Sequence, residues 1–162
     1  MDNSWCFDVC IDELSDAAKA RAIEWYRCSQ GGDYAWHNES RASIEAFCSH
    51  FGVQLKDWSV GAFCPYYYST DADNKNFRGF KLKDFKPDHA PTGYYLDFDI
   101  WGEFYKVFEA SGDAKEAFHR ALDAGFKSWR ADIEHSISDE YIYEHLFVSG
   151  YEFLEDGTVW AG

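Results

Sequence analysis

The longest regular pattern of apolar residues in the chain runs from Asp113 to Ile137. Apolar side chains recur there at spacings of three and four residues, which is the period of one face of an α-helix. The predicted helix has a continuous apolar stripe formed by Ala114, Ala117, Phe118, Ala121, Leu122, Phe126, Trp129, Ile133 and Ile137. We therefore expect this helix to be the central element against which the rest of the chain packs.

Four further helices are predicted from shorter amphipathic patterns with capping and stop signals. Their apolar faces are expected to be buried, including the side chains of Trp25 and Phe147. The first two predicted helices run from Ser15 to Ser29 and from Asp33 to Gly52. The third has Asp97 and Asp99 in its first turn and ends at Ser111-Gly112. The fourth runs from Asp139 to Ser149, with Ser138 as its N-cap.

Alternating apolar and polar residues predict several short strands. Residues 5–11 are expected to form the first strand, and Val53 to Phe63 a second, in which a change of apolar parity indicates a bulge near Asp57. Phe77 to Phe85 is its predicted hairpin partner. Because Asp-Gly favours a tight hairpin turn, a final hairpin is predicted for Tyr151 to Leu154 and Thr158 to Ala161, joined by Asp156-Gly157.

These elements predict an α+β protein with a small, mostly antiparallel sheet covered by about five helices. The length favours a single domain over residues 1–162. Apolar residues make up 46% of the chain, which is enough for a buried core. Because the N-terminus lacks a basic flank and no run of 18 apolar residues occurs, we expect a cytoplasmic protein without a membrane segment.

Candidate catalytic and metal-binding residues form no recognised motif. A phosphate-binding glycine loop, a GxSxG elbow and an HExxH helix are all absent from the sequence. The five cysteines show no zinc-like spacing and are expected to be buried, structural thiols. Asp97 and Asp99 could act as an acid and base pair, although a helix start already accounts for them. We therefore expect a protein without a metal or cofactor that is not an enzyme.

Charged residues are distributed unevenly along the chain. The net charge is −14, from 29 acidic and 15 basic side chains. Between Lys75 and Lys86, five basic side chains and one acidic side chain give +4, whereas from Ile133 onward seven acidic side chains and no Lys or Arg give −7. Acidic surfaces often serve only to keep a protein soluble. A field of this sign also repels bare nucleic acid and anionic membranes and attracts basic proteins.

Carboxylates on a helix can imitate the phosphates of nucleic acid. Glu140 and Glu144 are separated by about 6 Å along a helix axis, and successive phosphates of one strand advance about 3.4 Å along the duplex axis. The predicted partner is the basic groove of a nucleic-acid-binding protein, with Trp and Tyr as anchors. The predicted partner-binding residues are Glu134, Asp139, Glu140, Glu144, Glu152, Glu155 and Asp156.

Two segments carry a resemblance to a known group of proteins. Glu13-Leu14-Ser15-Asp16-Ala17-Ala18-Lys19-Ala20-Arg21-Ala22, after a predicted strand, and Ser138-Asp139-Glu140 leading to Tyr151-Glu152-Phe153-Leu154-Glu155-Asp156-Gly157, near the C-terminus, resemble the two ends of a group of small phage and prophage proteins. The resemblance covers about a fifth of the chain and implies a phage-borne protein in a bacterial host. It carries over no catalytic residues.

The charge and this resemblance together favour an inhibitor of host defence, of the anti-CRISPR or antirestriction type. Its expected partner is a CRISPR effector or a restriction enzyme, bound through an acidic, DNA-mimicking surface rather than through nucleic acid. The alternatives are an antitoxin-like or regulatory binding module, an unrecognised hydrolase, and a homodimer that pairs the acidic surface with the basic segment.

Overall fold

The computed structural model describes residues 9–29, 34–81 and 90–160. In this part of the chain the predicted α+β class is confirmed, with five α-helices and a two-stranded antiparallel sheet. The elements are α1 (Asp16–Ser29), α2 (His37–His50), β1 (Leu55–Ser59), β2 (Tyr67–Thr70), α3 (Tyr95–Ser111), α4 (Ala114–Ser136) and α5 (Asp139–Val148).

Contacts divide the chain into two compact units. Unit 1 comprises Met1–Tyr34 and Glu134–Gly162, and unit 2 comprises Ala35–Ile133. The boundary after Ile133 falls within α4. The prediction that residues 1–162 form one domain stays a prediction.

The apolar stripe predicted for the longest helix is the buried face of α4. Every stripe position from Ala114 to Ile133 is buried. The Asp113 carboxylate caps the helix by accepting the backbone N–H groups of Lys115 and Glu116, at 2.9 and 3.1 Å. The predicted start and the predicted apolar face of this helix are therefore both confirmed for the part of α4 that lies in unit 2.

Aromatic rings from three helices form one part of the unit 2 core. The Phe47 ring of α2 stacks on Phe118 of α4 at 5.2 Å and meets Trp101 of α3 at 4.9 Å. Gly125 lets α4 approach its neighbours, because a Cβ atom there would lie 2.7 Å from Ile100 and 2.8 Å from Ile44. Large rings and one small residue together fill the space between the helices.

The sheet packs on α4 through aromatic side chains. The Trp58 ring lies 5.0 Å from Trp129, and the Tyr68 ring stacks on Phe126 at 4.8 Å. The Tyr68 hydroxyl donates to the Asp123 carboxylate at 3.0 Å, and burial is the main cause that raises its pKa. Strand alternation explains this arrangement, because it directs Tyr68 inward while Tyr67 stays half exposed.

The predicted bulge is confirmed, but the predicted partner strand is wrong. The register of β1 shifts between Leu55 and Asp57, and its partner is β2 rather than Phe77 to Phe85. Residues Asn74–Phe77 instead form a 3₁₀ helix, since Asp73 and Asn76 cap it reciprocally. Tyr68 of β2 and Tyr66, which precedes the strand, supply its apolar face by stacking on Phe126. Of the predicted partner, residues 82–85 lie outside the described residues.

Unit 1 has a smaller core built from both ends of the chain. Val9 pairs with Phe153, and Phe153 pairs with Val159, so the chain does turn back at Asp156-Gly157 as predicted, but through isolated antiparallel bridges rather than the two predicted strands. Of the second predicted strand, Ala161 lies outside the described residues. The buried residues of this core are Ile11, Leu14, Ala18, Ala22, Ile23, Ile142, Leu146 and Phe153.

Three details of the unit 1 prediction are wrong. Ile11 begins a 3₁₀ helix rather than continuing a strand, because the Glu13 side chain folds back to accept the Cys10 N–H at 3.1 Å. Residues 5–8 of that predicted strand lie outside the described residues. Trp25 and Phe147, expected inside, are 36% and 52% exposed. Phe147 follows the buried Leu146 by about 100° around α5, so it leaves the narrow apolar face.

The cysteines are also less buried than predicted. Cys10, Cys28 and Cys64 are exposed, whereas Cys48 is buried on α2. Burial raises the pKa of Cys48 to about 12. A hydrogen bond from the Cys28 thiol to the Glu24 carboxylate, at 3.3 Å, raises the pKa of Cys28. Because the thiolate is the reactive form, a raised pKa lowers reactivity near neutral pH.

We expect thiol labelling at pH 8 to follow these environments. Iodoacetamide should label Cys10 and Cys64 first and Cys28 more slowly, and Cys48 only after unfolding in urea, because its thiol is buried and protonated. Peptide mass spectrometry over a time course measures the order. Glu24→Gln removes the nearby charge and should accelerate Cys28 alone. Labelling of native Cys48 as fast as Cys64 would contradict the burial described above.

The turn at Gly157 permits a close approach of the hairpin backbone to α1. Gly157 has φ +87°, and a Cβ atom there would lie 2.2 Å from the Ala18 carbonyl oxygen of α1. Gly150 also has a positive φ, +66°, but no atom lies within 4 Å of its Cβ position. Comparing substitutions at Gly150 and Gly157 therefore separates the free-energy cost of the backbone conformation from the cost of a steric clash.

We therefore expect Gly157→Ala to lower the free energy of unfolding more than Gly150→Ala. The Gly150 substitution should cost about 1 kcal/mol for its left-handed conformation. The Gly157 substitution should cost about 1–3 kcal/mol more, because the hairpin must move away from α1. Urea unfolding of both variants and the wild type gives the difference. Equal losses would show that the hairpin does not pack on α1 as described.

Candidate partner-binding surface

The seven acidic residues predicted to bind a partner all lie in unit 1, and each of them is exposed. We call them the acidic surface. Unit 1 contains 14 acidic and three basic side chains, a net charge of −11, whereas unit 2 contains 15 acidic and 12 basic side chains, a net charge of −3. The compact unit that includes the acidic C-terminal region therefore holds most of the negative charge of the chain.

Helix α5 directs two of these carboxylates away from the core. Ser138 caps the helix by accepting the Tyr141 N–H at 3.3 Å. Ile142 and Leu146 are buried, and this orientation leaves Glu140 and Glu144 exposed one turn apart. Their positions agree with the predicted spacing of about 6 Å along the helix axis.

The C-terminal hairpin positions three more members of the acidic surface. The Glu152 carbonyl accepts the Trp160 N–H at 2.9 Å, and the Leu154 carbonyl accepts the Gly157 N–H at 2.8 Å. The Phe153 side chain points into the core, so alternation along the strand directs Glu152 outward. Glu155 and Asp156 occupy the exposed turn.

Two members of the acidic surface form ion pairs with α1. Asp139 contacts the Arg27 guanidinium, and Arg27 also donates to the Ile137 carbonyl at 3.1 Å. Arg21 contacts the Asp156 carboxylate at 3.1 Å. Hydrogen bonds from Thr158, together with the Arg21 charge, hold the pKa of Asp156 below its usual value. These two carboxylates help to join α1 to the C-terminal segment.

Four carboxylates of the acidic surface have no hydrogen bond or ion pair with any described residue: Glu140, Glu144, Glu152 and Glu155. Because no described residue forms an ion pair with them, their charge is available to a partner. Glu134, the remaining member, is exposed at the end of α4 and has a partner within the protein.

Unit 1 also contains exposed groups that the sequence pattern did not identify. Its N-terminal segment adds acidic residues to the same unit, namely the exposed Asp12, Glu13, Asp16 and Glu24. Large apolar side chains of unit 1 are exposed as well, including Phe147 at 52%, Val148 at 82% and Trp160 at 43%. The sequence pattern assigned Phe147 to the core, and only the tertiary packing of α5 determines that it faces outward.

The basic segment lies in the other unit. Lys75, Arg78 and Lys81 belong to unit 2, and Lys83 and Lys86 lie outside the described residues. The separation of charge predicted along the sequence is therefore also a separation between compact units.

Other candidate chemistry has structural explanations. Asp97 is fully buried, and its carboxylate accepts hydrogen bonds of 2.8–3.0 Å from Thr92 and Gly93, which fixes the turn before α3. Asp99 accepts the Ser128 hydroxyl at 2.7 Å, so the two carboxylates serve different contacts. In residues 9–29, 34–81 and 90–160, no group of three His, Cys, Asp or Glu side chains could hold a metal ion.

The helices among these residues include none that is both long and apolar enough to cross a membrane. Comparison with known proteins gives no match to a family model, a curated protein or a solved structure.

Proposed function

We propose that unit 1 binds a basic nucleic-acid-binding protein and occupies the groove that otherwise holds nucleic acid. The observation that supports this proposal most strongly is the net charge of −11 in unit 1 against −3 in unit 2. A charge needed only for solubility has no reason to concentrate in one unit. A concentrated negative field attracts basic surfaces from a distance and accelerates association with them.

The arrangement of the free carboxylates supports mimicry of nucleic acid. Glu140 and Glu144 are exposed one turn apart on α5, and neither forms an ion pair with a described residue. A Lys or Arg groove that holds successive phosphates can accept carboxylates at similar spacing. The exposed apolar side chains nearby in sequence, Phe147 and Val148, can bury area on binding. This surface combines long-range attraction with contacts that exclude water.

We further propose that the protein is a phage-encoded inhibitor of host defence in the cytoplasm of a bacterium. The resemblance of its two ends to small phage proteins supports this assignment. The partner would be a CRISPR effector or a restriction enzyme, because each holds nucleic acid in a basic groove. This inhibition needs no catalysis, since occupying the groove is sufficient.

The best substitutions for a test avoid the ion pairs of unit 1. Asp139→Lys would place a cation against Arg27 and weaken the contact between α1 and α5. Glu140 and Glu144 have no such partner, so their reversal changes the surface without breaking a contact. Asp57 and Glu109 are exposed acidic residues of unit 2 without a described partner. They provide a control with the same change of charge.

We expect Glu140→Lys/Glu144→Lys to abolish capture of nucleic-acid-binding proteins from a bacterial lysate at low ionic strength. Asp57→Lys/Glu109→Lys should retain them. Once one retained protein has been purified, the Glu140→Lys/Glu144→Lys protein, the α5 variant, should bind it at least about tenfold more weakly than the Asp57→Lys/Glu109→Lys control does. The reason is that each reversed charge repels the basic groove. Its melting temperature should stay within about 4 °C of wild type, since exposed charges contribute little to stability.

The dependence on ionic strength provides a second measure. Wild-type affinity should fall as salt rises, and the fall should be shallower for the α5 variant, since fewer charges contribute. Equal weakening by the two double substitutions would show that total charge, not unit 1, determines binding. Retention of no basic protein by the wild type would contradict the proposal.

A further inference from the structure

A small cleft lies in unit 1 where α5 ends and the C-terminal hairpin begins. Its volume is about 350 Å³. This is near the lower end of about 300–1,000 Å³ for binding clefts, so it suits one long side chain better than a peptide segment. The described residues that line it are Ser149, Gly150, Tyr151, Glu152, Val159 and Trp160.

Two residues that line the cleft provide an aromatic ring and a carboxylate on the same face of the hairpin. The Trp160 N–H donates to the Glu152 carbonyl, so these residues are opposite each other across the two strands. Their neighbours Phe153 and Val159 form the bridge pair, and Phe153 is buried in the core. Alternation therefore directs Glu152 and Trp160 outward together.

Tyr151 also lines the cleft, and aromatic neighbours in unit 1 hold its ring in place. The Tyr151 ring meets Trp25 of α1 at 6.1 Å and Tyr26 at 6.3 Å, both edge to face. His145 lies 6.4 Å from the same ring. Because several rings of unit 1 support Tyr151, its orientation is set before any partner binds, which lowers the entropy cost of binding.

The end of α5 adds a third feature that favours a cation. Ser149 and Gly150 line the cleft just after the last helical residue. The carbonyl groups at a helix C-terminus carry a partial negative charge. The Glu152 carboxylate, the Trp160 ring and the end of α5 all attract positive charge, and these residues line one cleft within a unit of net charge −11.

We propose that this cleft receives an arginine side chain of the basic partner protein. The inference rests on the proposed function, because it names the residue with which the partner is anchored. Arginine fits better than lysine, since its planar guanidinium stacks on Trp160 while donating two hydrogen bonds to the Glu152 carboxylate. Lysine offers a compact charge that cannot do both. The acidic surface attracts the partner, and the cleft selects its orientation.

The test compares two peptides of nine residues, one all arginine and one all lysine, which have equal side-chain charge. Wild-type protein should bind the arginine peptide about fivefold more tightly or better, a ratio expected from stacking and paired hydrogen bonds. Trp160→Ala should reduce that ratio to about one while changing the affinity for lysine less than twofold. Glu140→Lys/Glu144→Lys should weaken both peptides and keep the ratio. Fluorescence anisotropy of labelled peptides measures the affinity of each of the three proteins for both peptides.

Two further measurements locate the effect in the cleft. Glu152→Gln is nearly isosteric, so it keeps the fold and should also lower the preference for arginine. The NMR signal of the Trp160 indole N–H, assigned by its loss in Trp160→Phe, should shift on titration with the arginine peptide. An unshifted indole signal at saturation would overturn the proposal, as would an unchanged arginine preference in both the Trp160→Ala and Glu152→Gln variants.

The remaining outcomes separate this inference from the proposed function. Equal wild-type affinity for the two peptides would overturn the arginine cleft and leave charge-based binding intact. Binding of neither peptide would contradict both. A wild-type dimer that Trp160→Ala converts to monomer in sedimentation equilibrium would show that a second copy of this chain occupies the cleft, which would also overturn the proposal.

Discussion

The main physical constraint on unit 1 is that 63 residues with a net charge of −11 must stay folded against their own repulsion. Its small core and two features of its surface oppose that repulsion. Arg21 and Arg27 of α1 contact carboxylates of the C-terminal segment, and Gly157 lets the hairpin approach α1 more closely than any side chain would allow. Glu140, Glu144, Glu152 and Glu155, which form no ion pair with a described residue, are exposed to solvent, where repulsion costs least. The same arrangement that keeps the unit folded leaves its negative charge available to a partner.

Much of the fold follows from local patterns in the sequence. The stripe of α4, the caps Ser15 and Ser138, and the bulge in β1 were predicted because each depends on neighbouring residues. The partner strand of β1 was not predicted correctly, because two tyrosines beside a polar run do not alternate like an ordinary strand. In the segment that follows, reciprocal capping by Asp73 and Asn76 favours a 3₁₀ helix. Burial of Trp25, Phe147 and three cysteines was overestimated, because residue type alone does not define how wide a buried face is.

The residues of the candidate site could be predicted from the sequence, but the contacts that arrange them could not. A run of acids without Lys or Arg marked the seven residues, and all seven are exposed. The sequence could not show that the N-terminal segment joins the same unit, that α1 pairs with Asp139 and Asp156, or that Trp160 and Glu152 share a cleft. Each of these depends on contacts between residues more than 100 positions apart or on the pairing of strands. These contacts divide the acidic surface into carboxylates that stabilise unit 1 and carboxylates that are available for binding.

The central claim is that unit 1 occupies the nucleic-acid groove of its partner, and direct competition tests it. A complex of the protein with a captured nucleic-acid-binding partner is titrated with duplex DNA at fixed ionic strength, and the bound fraction of each component is measured. The account predicts mutual displacement, with each ligand raising the apparent Kd of the other in proportion to its concentration. A ternary complex, in which partner, DNA and this protein stay bound together at saturation, would contradict it.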